Sequence, residues 1–208
     1  MRARGGNGGF TLLEMIVAMT LMAAMAGFLA VAFRMASAST ERGEAVTRQM
    51  ARLRAGIAIV ERAVRSADAM PLTAADKPGP YFLGERNRLR FLTACPPSAA
   101  YGGGLRLLSL FGSDAEGLAL GDAPPFRAGG VDAWKGTEGA RPILPGARKI
   151  AFSYSGGPDK DGAWGWTDTW DAAEKGHLPA AVRVELTTND PGGGSLKTAF
   201  VVPIFGGG

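Results

Sequence analysis

The feature that most limits how this chain can fold is an apolar run near its amino terminus, from Phe10 to Phe33, in which Glu14 is the only charged residue. As an α-helix the run would be about 36 Å long, slightly more than the roughly 30 Å hydrocarbon thickness of a bilayer. A basic, glycine-rich leader, Met1 to Gly9, precedes it. The arginines of the leader predict a single-pass membrane protein with a cytoplasmic amino terminus, and everything after Phe33 in the periplasm of a bacterium.

Three other interpretations of this segment are open at the level of sequence. Ala36-Ser37-Ala38 has the small-x-small form that signal peptidase accepts, but the run exceeds the roughly 7 to 15 apolar residues of a removable signal, and an acidic residue is unusual there. A plain membrane anchor leaves Glu14 and the preceding glycines unexplained. A buried core helix would need apolar neighbours on all sides, which a chain of 208 residues supplies poorly.

A motif marks the junction between the leader and the apolar run. The stretch Gly8-Gly9-Phe10-Thr11-Leu12-Leu13-Glu14 resembles the class III signal of type IV pilins and type II secretion pseudopilins. The resemblance implies that a prepilin peptidase cuts after Gly9 and methylates the new terminal amine of Phe10. It also implies that Glu14 pairs with the terminal ammonium of a neighbouring subunit, which agrees with the cost of an unpaired carboxylate inside a membrane.

Beyond the apolar run the pattern becomes amphipathic. Apolar residues recur at spacings of three and four, and charged residues fill the other positions, which predicts a helix packed by one face on a globular domain. Because Met70-Pro71 ends the pattern, we predict one helix from Phe10 to Ala69, about 90 Å long, with a bend near Ser37–Thr40. The apolar face comprises Val46, Met50, Leu53, Ile57, Val60 and Val64, of which the first four are candidate interface residues.

After Pro71 the pattern changes to short apolar or alternating segments separated by glycine, proline and aspartate, which predicts a mostly antiparallel sheet. Residues 112–147 are weakly patterned and are assigned to loops with one short strand at Leu118–Leu120. We therefore predict an α+β, pilin-like fold in which a long amino-terminal helix, membrane-spanning in its first half, packs on a carboxy-terminal sheet domain. The other candidate strands are Arg88–Thr93, Leu105–Phe111, Arg148–Tyr154, Ala181–Thr187 and Thr198–Ile204. The implied divisions are the basic leader (1–9), the transmembrane and filament-core helix half (10–33), the amphipathic helix half (34–70) and a periplasmic β-rich globular domain (71–208).

The carboxy-terminal half carries a second resemblance. A strand from Leu144 to Tyr154, a loop with tryptophans from Trp164 to Trp170, and a Leu178-Pro179 step into alternating valines are similar to the pattern of J-type minor pseudopilins. The resemblance implies a tip complex that primes the pseudopilus, with I-type and K-type partners and an H-type subunit as a further candidate. It also implies contacts with the major pseudopilin, the prepilin peptidase and the inner-membrane assembly platform.

Trp164, Trp166 and Trp170 form an aromatic cluster in that loop. Large aromatic rings dominate interface hot spots, so the cluster is a candidate partner contact. Packing of the loop against its own sheet is the competing interpretation. Asp159-Lys160-Asp161-Gly162 lacks the full spacing and the closing glutamate of a calcium loop, so we predict solvated turn carboxylates there.

Composition argues against catalysis and nucleic-acid binding. The net charge of +4 is small and spread along the chain. One cysteine, Cys95, and one histidine, His177, cannot form a soft-ligand metal site. We expect Cys95 to be buried and His177 to be a surface or packed residue. Motifs for phosphate cradling or a nucleophile elbow are absent from the sequence, so we predict no enzyme activity, cofactor or metal.

Two functional classes therefore remain to be distinguished. The first is a structural assembly subunit, either a minor pseudopilin of a secretion system or a minor pilin of a type IV pilus, because the Leu-Pro-x-x-Val element also resembles minor pilins. The second is a membrane-anchored periplasmic binding module. Processing at Gly9 predicts the first class, whereas an intact leader or cleavage after Ala38 predicts the second.

Overall fold

A long helix followed by antiparallel strands makes up the chain. The computed structural model describes residues 11–72, 79–96, 104–113, 117–126, 131, 134–137, 139–189 and 194–205. Helix α1 spans Leu12–Arg65, and the short α2 spans Ala172–Lys175. The strands are β1 (Phe82–Gly84), β2 (Arg88–Thr93), β3 (Arg106–Ser113), β4 (Gly117–Ala123), β5 (Arg141–Leu144), β6 (Ala147–Ser155), β7 (Trp170–Asp171), β8 (Ala181–Asn189) and β9 (Ser195–Pro203).

The chain divides into two units, Met1–Arg48 and Gln49–Gly208, which are described separately. In the first unit α1 is helical through Ser37–Thr40, where a bend was predicted. The Ser37 hydroxyl donates to the Phe33 carbonyl at 2.9 Å, and Thr47 bonds Gly43 in the same way at 2.9 Å. These bonds keep the hydroxyls satisfied inside the helix, so poor helix formers are accommodated without ending it.

The strands of the second unit form two sheets rather than the single sheet expected. One has six strands in the order β5-β4-β3-β2-β1-β7, and the other has three in the order β6-β8-β9. Every strand pairing is antiparallel. The predicted α+β class, with a long amino-terminal helix followed by an antiparallel sheet domain, is therefore confirmed.

The main core of the second unit lies among the carboxy-terminal part of α1 and both sheets. Leu53, Val60 and Val64 of α1 share one buried cluster with Phe91 of β2 and Val184 of β8. Gly56 is buried in the same helix, where an added Cβ would lie 3.0 Å from the Leu144 Cδ1 atom. A glycine weakens the helix by about 1 kcal/mol relative to alanine, but here it lets the helix approach β5.

The end of α1 differs from the prediction, which placed it at Ala69. The helix ends at Arg65, and Ala67 then pairs with Thr93 at the end of β2. The backbone N–H of Asp68 donates to the Leu92 carbonyl at 2.9 Å. Pairing with a strand therefore ends the helix before the proline does, because the same backbone groups cannot serve both.

The described residues between 112 and 147 contain more strand than predicted. They contain the end of β3, all of β4 and all of β5, and the predicted strand Leu118–Leu120 is the centre of β4. Trp134 is fully buried against the outer face of the six-stranded sheet in a second core cluster. Arginines of β2 hold this segment in place: Arg90 donates to the Trp134 carbonyl and Arg88 to the Lys135 carbonyl, each at 3.0 Å.

Tyr154 of β6 connects the two sheets. Its side chain is fully buried, and its hydroxyl donates to the Glu85 carbonyl at 2.8 Å. The ring meets Phe82 edge-on, with 6.0 Å between centroids. An alanine Cβ at Gly84 would lie 2.6 Å from the Tyr154 Cε1 atom, so the ring lies directly on the backbone of β1.

We expect Tyr154→Phe to lower the free energy of unfolding by about 1–2 kcal/mol near neutral pH, because the Glu85 carbonyl loses its buried donor. Burial, and secondarily the charge of Glu85, raise the pKa of the Tyr154 hydroxyl above its usual value. The folded state thus keeps this proton while the unfolded state loses it above about pH 10. Urea unfolding in detergent, followed by tryptophan fluorescence, should show the wild-type advantage constant below about pH 10 and shrinking above it. An advantage that does not change up to pH values well above 10 would contradict this role.

We expect Gly84→Ala to destabilise the folded unit by about 1–3 kcal/mol, since the new methyl group would overlap the Tyr154 ring. Gly165→Ala is the matched control, because an added Cβ there meets no atom within 4 Å and its change should stay within about 0.5 kcal/mol. The measurement is the urea midpoint of each variant. Equal midpoints for the two variants would show that the close approach at Gly84 is not required.

Candidate assembly surfaces

The start of α1 holds the acidic residue singled out by the sequence. Thr11 caps the helix: its hydroxyl accepts the Glu14 backbone N–H at 3.3 Å, and its carbonyl accepts the Met15 N–H at 3.2 Å. Glu14 is exposed and lies in the first turn of the helix. A carboxylate at this end is favoured by the positive pole of the helix dipole. Gly9 and Phe10, the predicted cleavage and methylation sites, lie outside the described residues.

The helix that follows is apolar and uncovered. The segment Leu12–Ser37 is long and apolar enough to cross a membrane, with a mean hydropathy of 2.3, and none of it is buried within the protein. Its large side chains are correspondingly open; Leu12 is 81% exposed and Phe28 78%. An apolar surface of this size is unstable in water, so lipid or other protein must cover it.

The amphipathic face chosen as a candidate interface lies partly in the core of its own subunit. Leu53 is buried, and Met50 and Ile57 are partly buried against the main core cluster. Val46, in the first unit, is 42% exposed. The expected packing of this helix face on the globular domain is therefore observed for residues from Met50 onward, whereas a contact of these residues with a partner stays a prediction.

The three tryptophans occupy different environments. Trp170 is buried, its indole N–H donates to the His177 carbonyl at 3.2 Å, and the Lys175 Nζ atom lies 4.6 Å from its ring centroid. Trp164 is 46% exposed and stacks on Trp166, with 6.1 Å between centroids. The structure thus separates one ring that packs inside the subunit from a stacked pair at the surface.

The stacked pair is fixed to the three-stranded sheet by an arginine. The Arg183 guanidinium of β8 lies 4.0 Å from the Trp166 ring centroid, a cation–π contact. Asp168, farther along the same loop, forms an ion pair with Arg86. Arginine and tryptophan together are typical of interface hot spots. The partner role of Trp164 and Trp166 remains a prediction.

The other polar features of the loop are structural. The Asp159 carboxylate accepts the backbone N–H groups of Asp161 and Ala163 at 2.9 and 2.8 Å, which closes a turn. No cluster of three or more potential metal ligands occurs in the part of the chain that the structure describes. His177 is exposed, as expected. The prediction for Cys95 was wrong: the residue is exposed, because the chain turns away from the sheet after β2.

Two functional contacts were missed by sequence reasoning. Thr11 and Glu14 have the Thr-x-x-Glu spacing of a helix capping box, so the sequence held a signal for the helix start. The contact of Arg183 with Trp166 joins positions far apart in the chain, and one sequence carries no signal for it.

Comparisons with known proteins agree with this arrangement. Residues 4–30 match the family of the prokaryotic N-terminal methylation motif. The whole chain is 32% identical, over 218 aligned residues, to type II secretion system protein J of Xanthomonas campestris pv. campestris, and the alignment covers 98% of that protein. The similarity therefore includes the sheets as well as the leader and the apolar helix.

A signal shared by all pilin-like proteins would not separate a secretion subunit from a pilus subunit, whereas similarity over the full length does. The protein is anchored to a membrane by its apolar helix. The chain belongs to the family of type II secretion system protein J, the J-type minor pseudopilins, which are structural components of the secretion machinery and not enzymes.

Proposed function

We propose that this protein assembles with other minor pseudopilins, of the I, K and H types, into a tip complex that primes the type II secretion pseudopilus. The major pseudopilin would extend the filament below that complex from the inner-membrane assembly platform. The observation that carries the proposal is the uncovered apolar segment Leu12–Ser37 with Glu14 in its first turn. Similarity over the whole chain to a type II secretion protein J supports it.

Burial keeps the apolar segment out of water but does not by itself drive assembly. Packing the exposed side chains of the apolar segment against neighbouring helices removes apolar area from water, at about 25 cal/mol per Å². In the membrane, lipid covers the same surface, so this term does not choose between lipid and protein. A more selective interaction must therefore favour contact with other subunits over contact with lipid.

The carboxylate of Glu14 provides that selectivity. A charge at the centre of a membrane helix costs roughly 3 kcal/mol on insertion scales, which is an upper value for Glu14 near the end of the helix. Pairing with an ammonium at about 4 Å returns roughly 4 kcal/mol at an effective dielectric constant of about 20. The two values are similar in size, so a partner amine offsets the penalty that lipid leaves in place. The methylated amine of Phe10 on a neighbouring subunit has the required charge, and prepilin peptidase produces it by cutting after Gly9.

The orientation follows from the leader. Arg2 and Arg4 precede the apolar run and favour the cytoplasmic side, where the leader is cut. The second unit, Gln49–Gly208, is then in the periplasm, where it contacts other subunits through the surface that carries Trp164 and Trp166. Glu14 would lie near the cytoplasmic end of the membrane, close to the new amino termini of the other subunits.

We expect co-expression with prepilin peptidase to remove residues 1–9 and to add one methyl group to the amine of Phe10. Intact-mass spectrometry of the purified full chain measures both changes, and a catalytically inactive peptidase serves as the control. An intact leader, or a chain that begins at Ser39, would show instead a plain anchor or a secreted binding module.

We expect Glu14→Gln to be processed normally but to lose secretion and recovery with other pseudopilins by at least about tenfold, because the partner amine then lacks a countercharge. Glu44→Gln is the matched control, since Glu44 is exposed on the same helix outside the apolar segment and pairs with Arg48 at 3.1 Å. The readouts are secreted cargo and co-purification from solubilised membranes. Wild-type assembly by Glu14→Gln would rule out charge pairing as the selective step.

A further inference from the structure

The outer edges of the two sheets differ in how they are protected. The six-stranded sheet ends in β5 and β7, which have four and two residues, and β5 contains Pro142. The three-stranded sheet ends in β6 and β9, each of nine residues. Short strands and proline are common ways of blocking a sheet edge, whereas a long regular edge offers a row of unpaired backbone groups.

The edge of β6 is covered by other parts of the chain. The backbone N–H of Phe152 donates to the Arg86 carbonyl at 2.7 Å. Tyr154 and Thr167 exchange two backbone hydrogen bonds, each 2.8 Å long. The amides of Phe152 and Tyr154, which face away from β8, therefore already have partners in the subunit.

The edge of β9 has no such cover in the part of the chain that the structure describes. The Ile204 N–H donates to the Ala180 carbonyl at 2.9 Å, which sets the direction of the backbone at the end of β9. Because neighbouring residues of a strand point their backbone groups to opposite sides, Phe200 and Val202 bond β8. The N–H and C=O groups of Ala199 and Val201 then point outward, to the open edge.

The pairing of β6 with β8 gives the same result independently. Phe152 and Tyr154 bond away from β8, so Ser153 between them bonds toward it, and its β8 partner Arg183 faces β6. Val184, the next residue, therefore faces β9 and pairs with Phe200. Both observations place the backbone groups of every second residue of β9, from Ser195 to Pro203, at the open edge. Pro203 lacks an N–H, and an outward position is one where a strand tolerates proline.

The side chains along this edge indicate which residues would suit a strand paired with β9. Lys197, Ala199 and Val201 are all exposed, and Val201 is 47% exposed. Ala199 and Val201 present small apolar surface, and Lys197 adds a positive charge at the other end of the strand. A strand laid alongside would match them best with small apolar residues opposite the first two and a carboxylate near the lysine.

We propose that the open edge of β9 binds an extended strand of another pseudopilin subunit, which adds to the three-stranded sheet. An unpaired row of alternating N–H and C=O groups is matched by another extended backbone, and this row has no partner inside the described subunit. The identity of the occupant as another pseudopilin rests on the proposed function. The contact is separate from the Glu14 pairing, because it lies in the second unit.

The test substitutes Ala199→Pro in the full chain. Proline removes one outward N–H and obstructs a neighbouring strand, but it breaks no hydrogen bond to β8. Ala199→Ser is the matched control, since it keeps the amide and nearly the same side-chain size. We expect Ala199→Pro to reduce the recovery of other pseudopilins from solubilised membranes at least about tenfold relative to Ala199→Ser, with leader processing and the unfolding midpoint unchanged.

Hydrogen exchange gives a second readout that does not depend on the variant folding. The amides of Lys197, Ala199 and Val201 in the wild-type chain should exchange quickly in the free subunit and at least about tenfold more slowly in the assembled complex. Equal exchange in both states, or wild-type recovery by a folded Ala199→Pro chain, overturns the proposal. Loss of self-association alone, with recovery of other subunits intact, also overturns it and identifies a second copy as the occupant. In each case the Glu14→Gln result still decides the proposed function separately.

Discussion

Membrane anchoring and the proposed assembly both depend on an apolar helix that the described chain leaves uncovered and that carries one carboxylate. Leu12–Ser37 is long enough for a membrane and unburied within the subunit, and Glu14 lies at the capped start of α1. Lipid covers such a surface as well as protein does, so apolar area alone cannot direct assembly. In the proposed assembly the charge of Glu14 makes the two environments unequal, because a neighbouring subunit supplies a cation that the hydrocarbon of the bilayer lacks.

The second unit is held in a fixed arrangement by contacts between residues distant in sequence. One face of α1 from Met50 onward is covered by the sheets, and Tyr154 joins those sheets through the Glu85 carbonyl. The arginines of β2 hold the segment around Trp134 on the outer face. Because these contacts hold the second unit together, the Trp164–Trp166 pair and the edge of β9 have fixed positions on its surface.

The parts predicted well from sequence depend on local patterns. Helix α1 was predicted from its spacing, and the bounds of β2 agree with those predicted, Arg88–Thr93, because short-range periodicity reports which face is buried. The prediction for residues 112–147 failed for the opposite reason: β4 is buried on both faces and contains Gly117 and Gly121, so it shows no apolar alternation, and β5 has only four residues, one of them Pro142. The helix end at Arg65 and the exposure of Cys95 were also decided by strand pairing at the end of β2.

By itself, the sequence determined that the chain is a membrane-anchored, pilin-like subunit, because the leader, the uninterrupted apolar run and the position of Glu14 are local and need no fold to be read. Tertiary structure alone decided that two sheets form rather than one, that Trp170 is buried while Trp164 is exposed, and that β6 is covered while β9 is open. Those outcomes depend on which distant segments meet, and hydrogen-bond partners across a sheet leave no periodic trace in either strand.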